Sequence, residues 1–216
     1  MRRGLTFSFV SLVIFLMVVG CTGIPVREEV RVDLSLPVGK IEGITFNGIR
    51  YPFKVSLTSS HWQFSLEIPD FMEELGFKRL GLEESELFLI NPATKSNIQI
   101  DLTPAGRRVR FDQKTIQMIT GTAYRGLVEE LKMDHGKDFA IESTPTAPFL
   151  LKGVQYAAHR SVSYTLGETK TIHGWVYGFG EPYQIFIIYV VLENEGYDDL
   201  KDIMKILGSF EMVPKK

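Results

Sequence analysis

Apolar residues change their spacing along this chain of 216 residues, and each spacing predicts a different element. Residues 45–57 and 61–68 mix β-branched and aromatic residues as strands do, and residues 86–91 and 97–102 form a hairpin pattern around Pro92. Asp70 followed three residues later by Glu73 fits a capping box for a short helix that Gly76 closes.

From Asp112, a good N-cap, apolar side chains recur at Ile116, Ile119, Ala123, Leu127 and Leu131. That 3.6-residue stripe predicts a long helix reaching about Met133, ended by His135-Gly136. Gly121 and Gly126 inside it each weaken it by about 1 kcal/mol relative to alanine.

The clearest sheet signal is a meander of residues 154–166, 171–178 and 183–192, with turns at Gly167-Glu168 and Gly180-Glu181-Pro182. Residues 185–192 are apolar at every position, which requires cover on both faces of the sheet. A closing helix over about 197–207 puts Tyr197, Leu200, Ile203, Met204 and Leu207 on one side, so one helix can cover each face. Pairing Leu166 with Thr169 makes partner numbers sum to 335, which sets His173 against Val162 and His159 against Val176. Strand alternation then separates these two histidines onto opposite faces.

The N-terminus has a different character. Arg2 and Arg3 precede an apolar run from Leu5 to Val19, about 15 residues where roughly 20 are needed to cross a bilayer as a helix. Charge, apolar run and small residues in that order make a secretory signal over residues 1–20. Val18-Val19-Gly20-Cys21 resembles the lipobox of bacterial lipoproteins, whose cysteine is acylated and becomes the first mature residue. The resemblance implies a lipid on Cys21, the sole cysteine, which excludes an intramolecular disulfide. Two or more acyl chains hold a protein firmly to a membrane. Thr22 in place of aspartate implies, by the same resemblance, the outer membrane facing the periplasm in a two-membrane cell.

With Arg2 and Arg3 removed, 22 Lys and Arg face 26 Asp and Glu, a formal charge of −4. That balance argues against a nucleic-acid partner, which calls for a basic patch. Residues 21–42 mix Pro25, Pro37 and Gly39 with charges and lack sustained periodicity, so they are expected to form the lipidated N-terminus and a tether, with a short strand within 30–36. Residues 43–213 are expected to be a single α+β domain, long enough to bury its own core.

The order of a strand-rich start, central helix, three-strand meander, closing helix and terminal Ser209-Phe210-Glu211 resembles the Mog1/PsbP-like superfamily, which includes the DcrB-like bacterial lipoproteins. Leu66-Glu67-Ile68-Pro69, the strand Tyr183–Leu192 and residues 203–212 carry the resemblance. It implies a three-layer α/β/α sandwich with an antiparallel β-sheet flanked by helices. It implies no shared catalytic motif, and fold alone does not give function.

The chemistry-bearing residues are sparse. No two of His61, His135, His159 and His173 stand at metal-ligand spacing, so neither a metal nor a cofactor is expected. G-x-S-x-G is absent, and Gly174, Gly178 and Gly180 lie in strand context, where bulges and a tight turn explain them better than a phosphate loop. Arg107, Arg108 and Arg110 form the one concentrated basic cluster, suited to lipid headgroups or simply to solvent. Trp175 and Tyr177, among the aromatics of the meander, are candidates for a partner surface if exposed.

The expectation is therefore a membrane-anchored, non-catalytic accessory or scaffolding lipoprotein that binds another cell-envelope protein. A small-ligand or lipid carrier is the alternative, and an enzyme with a non-local active site a more distant one. An apolar pocket favours the carrier, clustered titratable groups the enzyme, and an exposed aromatic patch the scaffold.

Overall fold

A computed structural model describes residues 26–74, 85–193 and 196–213. Cys21 and Gly76 lie outside the described residues. The fold is α+β with antiparallel strand pairs. An eight-stranded sheet runs β4 (Gln63–Ser65), β5 (Leu87–Ile90), β6 (Asn97–Pro104), β11 (Tyr183–Leu192), β10 (Thr169–Gly180), β9 (Tyr156–Leu166), β7 (Glu142–Ser143), with β8 (Ala147–Pro148) also on β9. A four-stranded sheet runs β1 (Gly39–Glu42), β2 (Thr45–Gly48), β3 (Phe53–Ser56), β12 (Glu211–Met212). Three helices are described, α1 (Phe71–Glu74), α2 (Gln113–His135) and α3 (Asp199–Ser209).

The meander has the predicted register. Leu166 pairs with Thr169, His173 with Val162 and His159 with Val176. The register of β10 runs unbroken through its glycines on both sides, so they are not bulges. Gly174 has another reason: a Cβ there would stand 2.1 Å from Tyr189 Cζ, because the Tyr189 ring lies across it.

Helix α2 starts where the sequence predicts, whereas α3 begins at Asp199, two residues after the expected Tyr197, and leaves Tyr197 and Leu200 exposed. Asp112 accepts a hydrogen bond from Thr115 N at 2.8 Å, and Gly136 closes α2 at φ 100°, a conformation that favours glycine. Asp198 caps α3 by accepting from Lys201 N. Beside it, buried Asp199 accepts from Asn91 Nδ2 at 2.8 Å and Thr94 Oγ1 at 2.6 Å, tying α3 to the β5–β6 turn. The Ser209-Phe210 pair has a clear structural role. Ser209 Oγ both accepts from Ser56 N and donates to Ser56 O, while the Phe210 ring stacks on Phe53 at 5.6 Å. This fastens the end of α3 to β3.

Two early expectations change. The 45–57 run is not one strand, because Gly48 and Pro52 turn it into a β2–β3 hairpin that joins β12 in a second sheet. The described part of the 21–42 segment is not a free tether. Gly39–Glu42 forms β1, no strand occurs within 30–36, and Val30, Val32 and Val38 pack against the main core. Burying these valines contributes about 1–2 kcal/mol each, which holds the segment down.

The main core lies between the inner face of the large sheet and a layer made of the small sheet and α3. Ile98, Ile100, Ile185, Ile187, Tyr189 and Val191 meet Phe46, Phe53, Ile203, Ile206 and Phe210 there. On the outer face α2 packs over β9 and β10, with Ile116 and Phe111 against Ala158 and Phe179, while α1 sets Met72 against Phe88 and Ile90.

Candidate functional site

Helix α2 does not lie over the middle of the sheet. Ile116, Thr120 and Leu131 are its buried residues, and Trp175 Nε1 donates to the Thr120 carbonyl at 3.1 Å. On its other flank the Arg160 guanidinium sits 3.4 Å from the Tyr124 ring centre. These contacts fix the helix over β9 and β10, so its Ile119 and Ala123 edge overhangs the outer face of β11 and β6. Phe186 and Ile188, on the strand that was expected to be covered on both sides, are only half-buried, whereas Ile185 and Ile187 are fully buried.

A groove of about 530 Å³ runs along this overhang. Met118, Ile119 and Ala123 form one wall, Tyr177, Gln184 and Phe186 the other, with Asp101 and Arg125 as charged groups in it. Met118 is 64% exposed, one of several large apolar side chains at the surface of the described residues. The Tyr177 and Phe186 rings lie 6.1 Å apart, and Tyr177 Oη donates to Gln184 Oε1, which fixes the ring's tilt. Burial pushes the Tyr177 phenol pKa up.

The sequence candidates separate in space. Tyr177 lines the groove, but Trp175 is 3% exposed beneath α2, so its ring is core and presents no surface to a partner. Arg107, Arg108 and Arg110 lie at the start of α2, in the loop that leads from β6. Arg107 contacts Glu29 at 3.8 Å and Arg110 contacts Asp112 at 4.0 Å.

Sequence reasoning missed Met118 and reached Phe186 only as one of the meander aromatics that would matter if exposed, because the offset of α2 across the sheet decides their exposure. It also missed Arg27. The guanidinium of Arg27 packs against Phe111 at 5.3 Å and Phe179 at 4.7 Å, Nη1 donates to the Val109 carbonyl, and Nε lies 3.6 Å from Glu181. No local spacing signals such a contact.

A partly buried polar cluster lies on the inner face. His159 Nε2 is 2.8 Å from Tyr189 Oη, and Ser161, whose hydroxyl is 3.2 Å from Thr144 Oγ1, also hydrogen-bonds Tyr189. Burial lowers the His159 pKa and pushes that of Tyr189 up to about 12. His173, on the outer face beside Trp175, is lowered by burial to about 4. Both imidazoles are therefore neutral at pH 7, and the His159–Tyr189 pair serves as a hydrogen-bonded brace across Gly174. Among the described residues no three His, Cys, Asp or Glu side chains are grouped to hold a metal ion. Nor is any helix among them long and apolar enough to cross a membrane.

The arrangement of strands and helices is that of the PsbP-like proteins. The solution structure of cyanobacterial PsbP (CyanoP) from Synechocystis sp. PCC 6803 is similar with a TM-score of 0.52 and 10% sequence identity, over 82% of this chain and 99% of that one. The crystal structure of LpqN, involved in cell envelope biogenesis of Mycobacterium tuberculosis, is similar with a TM-score of 0.48 and 11% identity, over 76% of this chain and 86% of that one. No protein-family model and no curated protein matches the chain.

Proposed function

We propose that this chain is an accessory lipoprotein of the cell envelope, acylated on Cys21 after removal of residues 1–20, whose α+β domain binds another envelope protein and catalyses no reaction. In a two-membrane cell it faces the periplasm from the outer membrane, and its kinship within the superfamily is to the DcrB-like lipoproteins. The groove between α2 and β11 carries this reading, because it sets exposed Met118 beside the half-buried rings of Phe186 and Tyr177 in one open groove. Aromatic and methionine side chains are enriched at the centres of protein interfaces. The groove is open along Met118, a shape that suits a protein segment better than an enclosed cargo such as a lipid.

The test is affinity purification of the native lipoprotein from gently solubilised membranes, compared with Phe186→Asp. A specific envelope protein should co-purify with the wild type, be depleted at least tenfold by the variant, and be restored by Phe186→Leu. Equal recovery with both forms, or none with either, counts against the groove as the docking site.

A further inference from the structure

The basic loop and the N-terminal segment meet at one end of the domain. Arg27 N donates to the Arg107 carbonyl at 3.0 Å, Arg107 Nε donates back to the Arg27 carbonyl at 3.4 Å, and the Arg27 side chain is held by Val109, Phe111, Phe179 and Glu181. The chain is thus fixed to the domain at residue 27. Six peptide units separate it from Cys21. At no more than about 3.3–3.6 Å per residue they span roughly 20 Å when fully extended.

We infer that the 107–110 loop is the membrane-contacting surface of this domain and rests on anionic lipid headgroups. The inference rests on the acylation of Cys21 proposed above. Acyl chains on that residue sit in the bilayer, so the point where Arg27 docks, and the loop beside it, stay within reach of the headgroup layer.

The loop has the chemistry for that position. The side chains of Arg107 and Arg110 are 57% and 78% exposed, Arg108 is exposed with no ion pair among the described residues, and Val109 stands between them 43% exposed. Acidic groups lie at this end too, namely Glu29 against Arg107, Asp112 against Arg110 and Glu181 against Arg27. Glu181 is matched by Arg27, and Asp112 is engaged in capping α2. The pairs made by Arg107 and Arg110 are long and solvent-exposed, and such pairs hold their partners weakly. The guanidinium groups therefore remain available to phosphates, which they bind in a bidentate manner.

The experiment uses the full lipoprotein reconstituted into vesicles. Val109→Cys carries an environment-sensitive fluorophore, and Cys21 is blocked by its own acylation. In vesicles containing phosphatidylglycerol the label should shift to the blue and be quenched by headgroup-labelled lipid. In phosphatidylcholine alone, at roughly 1 M salt where screening reaches about 3 Å, or with Arg108→Ala and Arg110→Ala together, the quenching should fall at least fivefold. The mass of the N-terminal peptide reports acylation separately. An acylated protein whose label responds equally in anionic and neutral vesicles overturns the loop assignment while the lipoprotein reading stands. An unmodified Cys21 overturns both, and a loop shielded by a co-purifying protein instead of lipid overturns the assignment in favour of a protein contact.

Discussion

The guanidinium carbon of Arg27 lies 4.7 Å from the centre of the Phe179 ring, joining the first described residues of the chain to the far end of β10. A half-buried cation over aromatic rings contributes about 0.5–2 kcal/mol. Arg27→Ala should therefore lower the melting temperature by about 1–8 °C, taking 2–4 °C per kcal/mol for a domain of this size. It should also expose residues 26–38 to limited proteolysis. Arg27→Lys should recover part of the loss, since ammonium keeps the charge but not the planar stacking. Unchanged proteolysis in both variants would mean that Val30, Val32 and Val38 hold the segment alone.

Adjacent positions of β11 should respond in opposite ways. Ile187 is fully buried on the inner face, whereas Phe186 is half-buried on the groove face. An unpaired charge buried at Ile187 costs several kcal/mol against a total stability of about 5–15. Ile187→Asp should give no cooperative melt, while Phe186→Asp, which loses a half-buried ring and sets a carboxylate opposite Asp101, should still melt cooperatively at a temperature lowered by about 5–10 °C. A Phe186→Asp variant that fails to fold would show that this groove belongs to the core.

These two positions mark what the sequence could and could not reveal. The alternation of β9 to β11, the sum of 335 that fixes the β9–β10 register, and the Asp112 and Gly136 caps are local signals, so the meander and the long helix α2 were legible from them. The uniform apolarity of residues 185–192 says that both faces want cover, but not that α2 stops short of one of them. That offset comes from the Trp175–Thr120 and Arg160–Tyr124 contacts, which join residues far apart in sequence. The same holds for Arg27, whose aromatic partners come from the start of α2 and the end of β10. The 45–57 run looked like one strand because its turn residues, Gly48 and Pro52, lie within an otherwise strand-like composition.

Acid should destabilise the domain through its histidines. His173 has its pKa lowered by burial from 6.5 to about 4, and burial lowers His159 as well. Below pH 6.5 the unfolded chain binds protons that the folded one does not. Unfolding free energy therefore rises with pH between about 4 and 6.5 and is flat above that window, as far as these groups contribute. A drop of about 2 kcal/mol from pH 7 to pH 4.5 is expected from His173, because its ring is half-buried and the full shift is an upper bound. Urea midpoints at both pH values measure it. His173→Gln should reduce the pH dependence, and an unaltered slope would assign it to other groups.

The central claim is that the α2–β11 groove docks an envelope protein while the lipid on Cys21 holds the domain at the membrane. A photo-reactive amino acid at Met118, irradiated in intact cells, tests it most directly, because Met118 stands exposed on the groove wall. A discrete protein adduct at Met118 is predicted, absent when the photo-reactive residue is moved to exposed Met133 at the far end of α2 and abolished when Cys21→Ser removes the anchor. Adducts to lipid alone, or the same protein adduct from Met133, would contradict it.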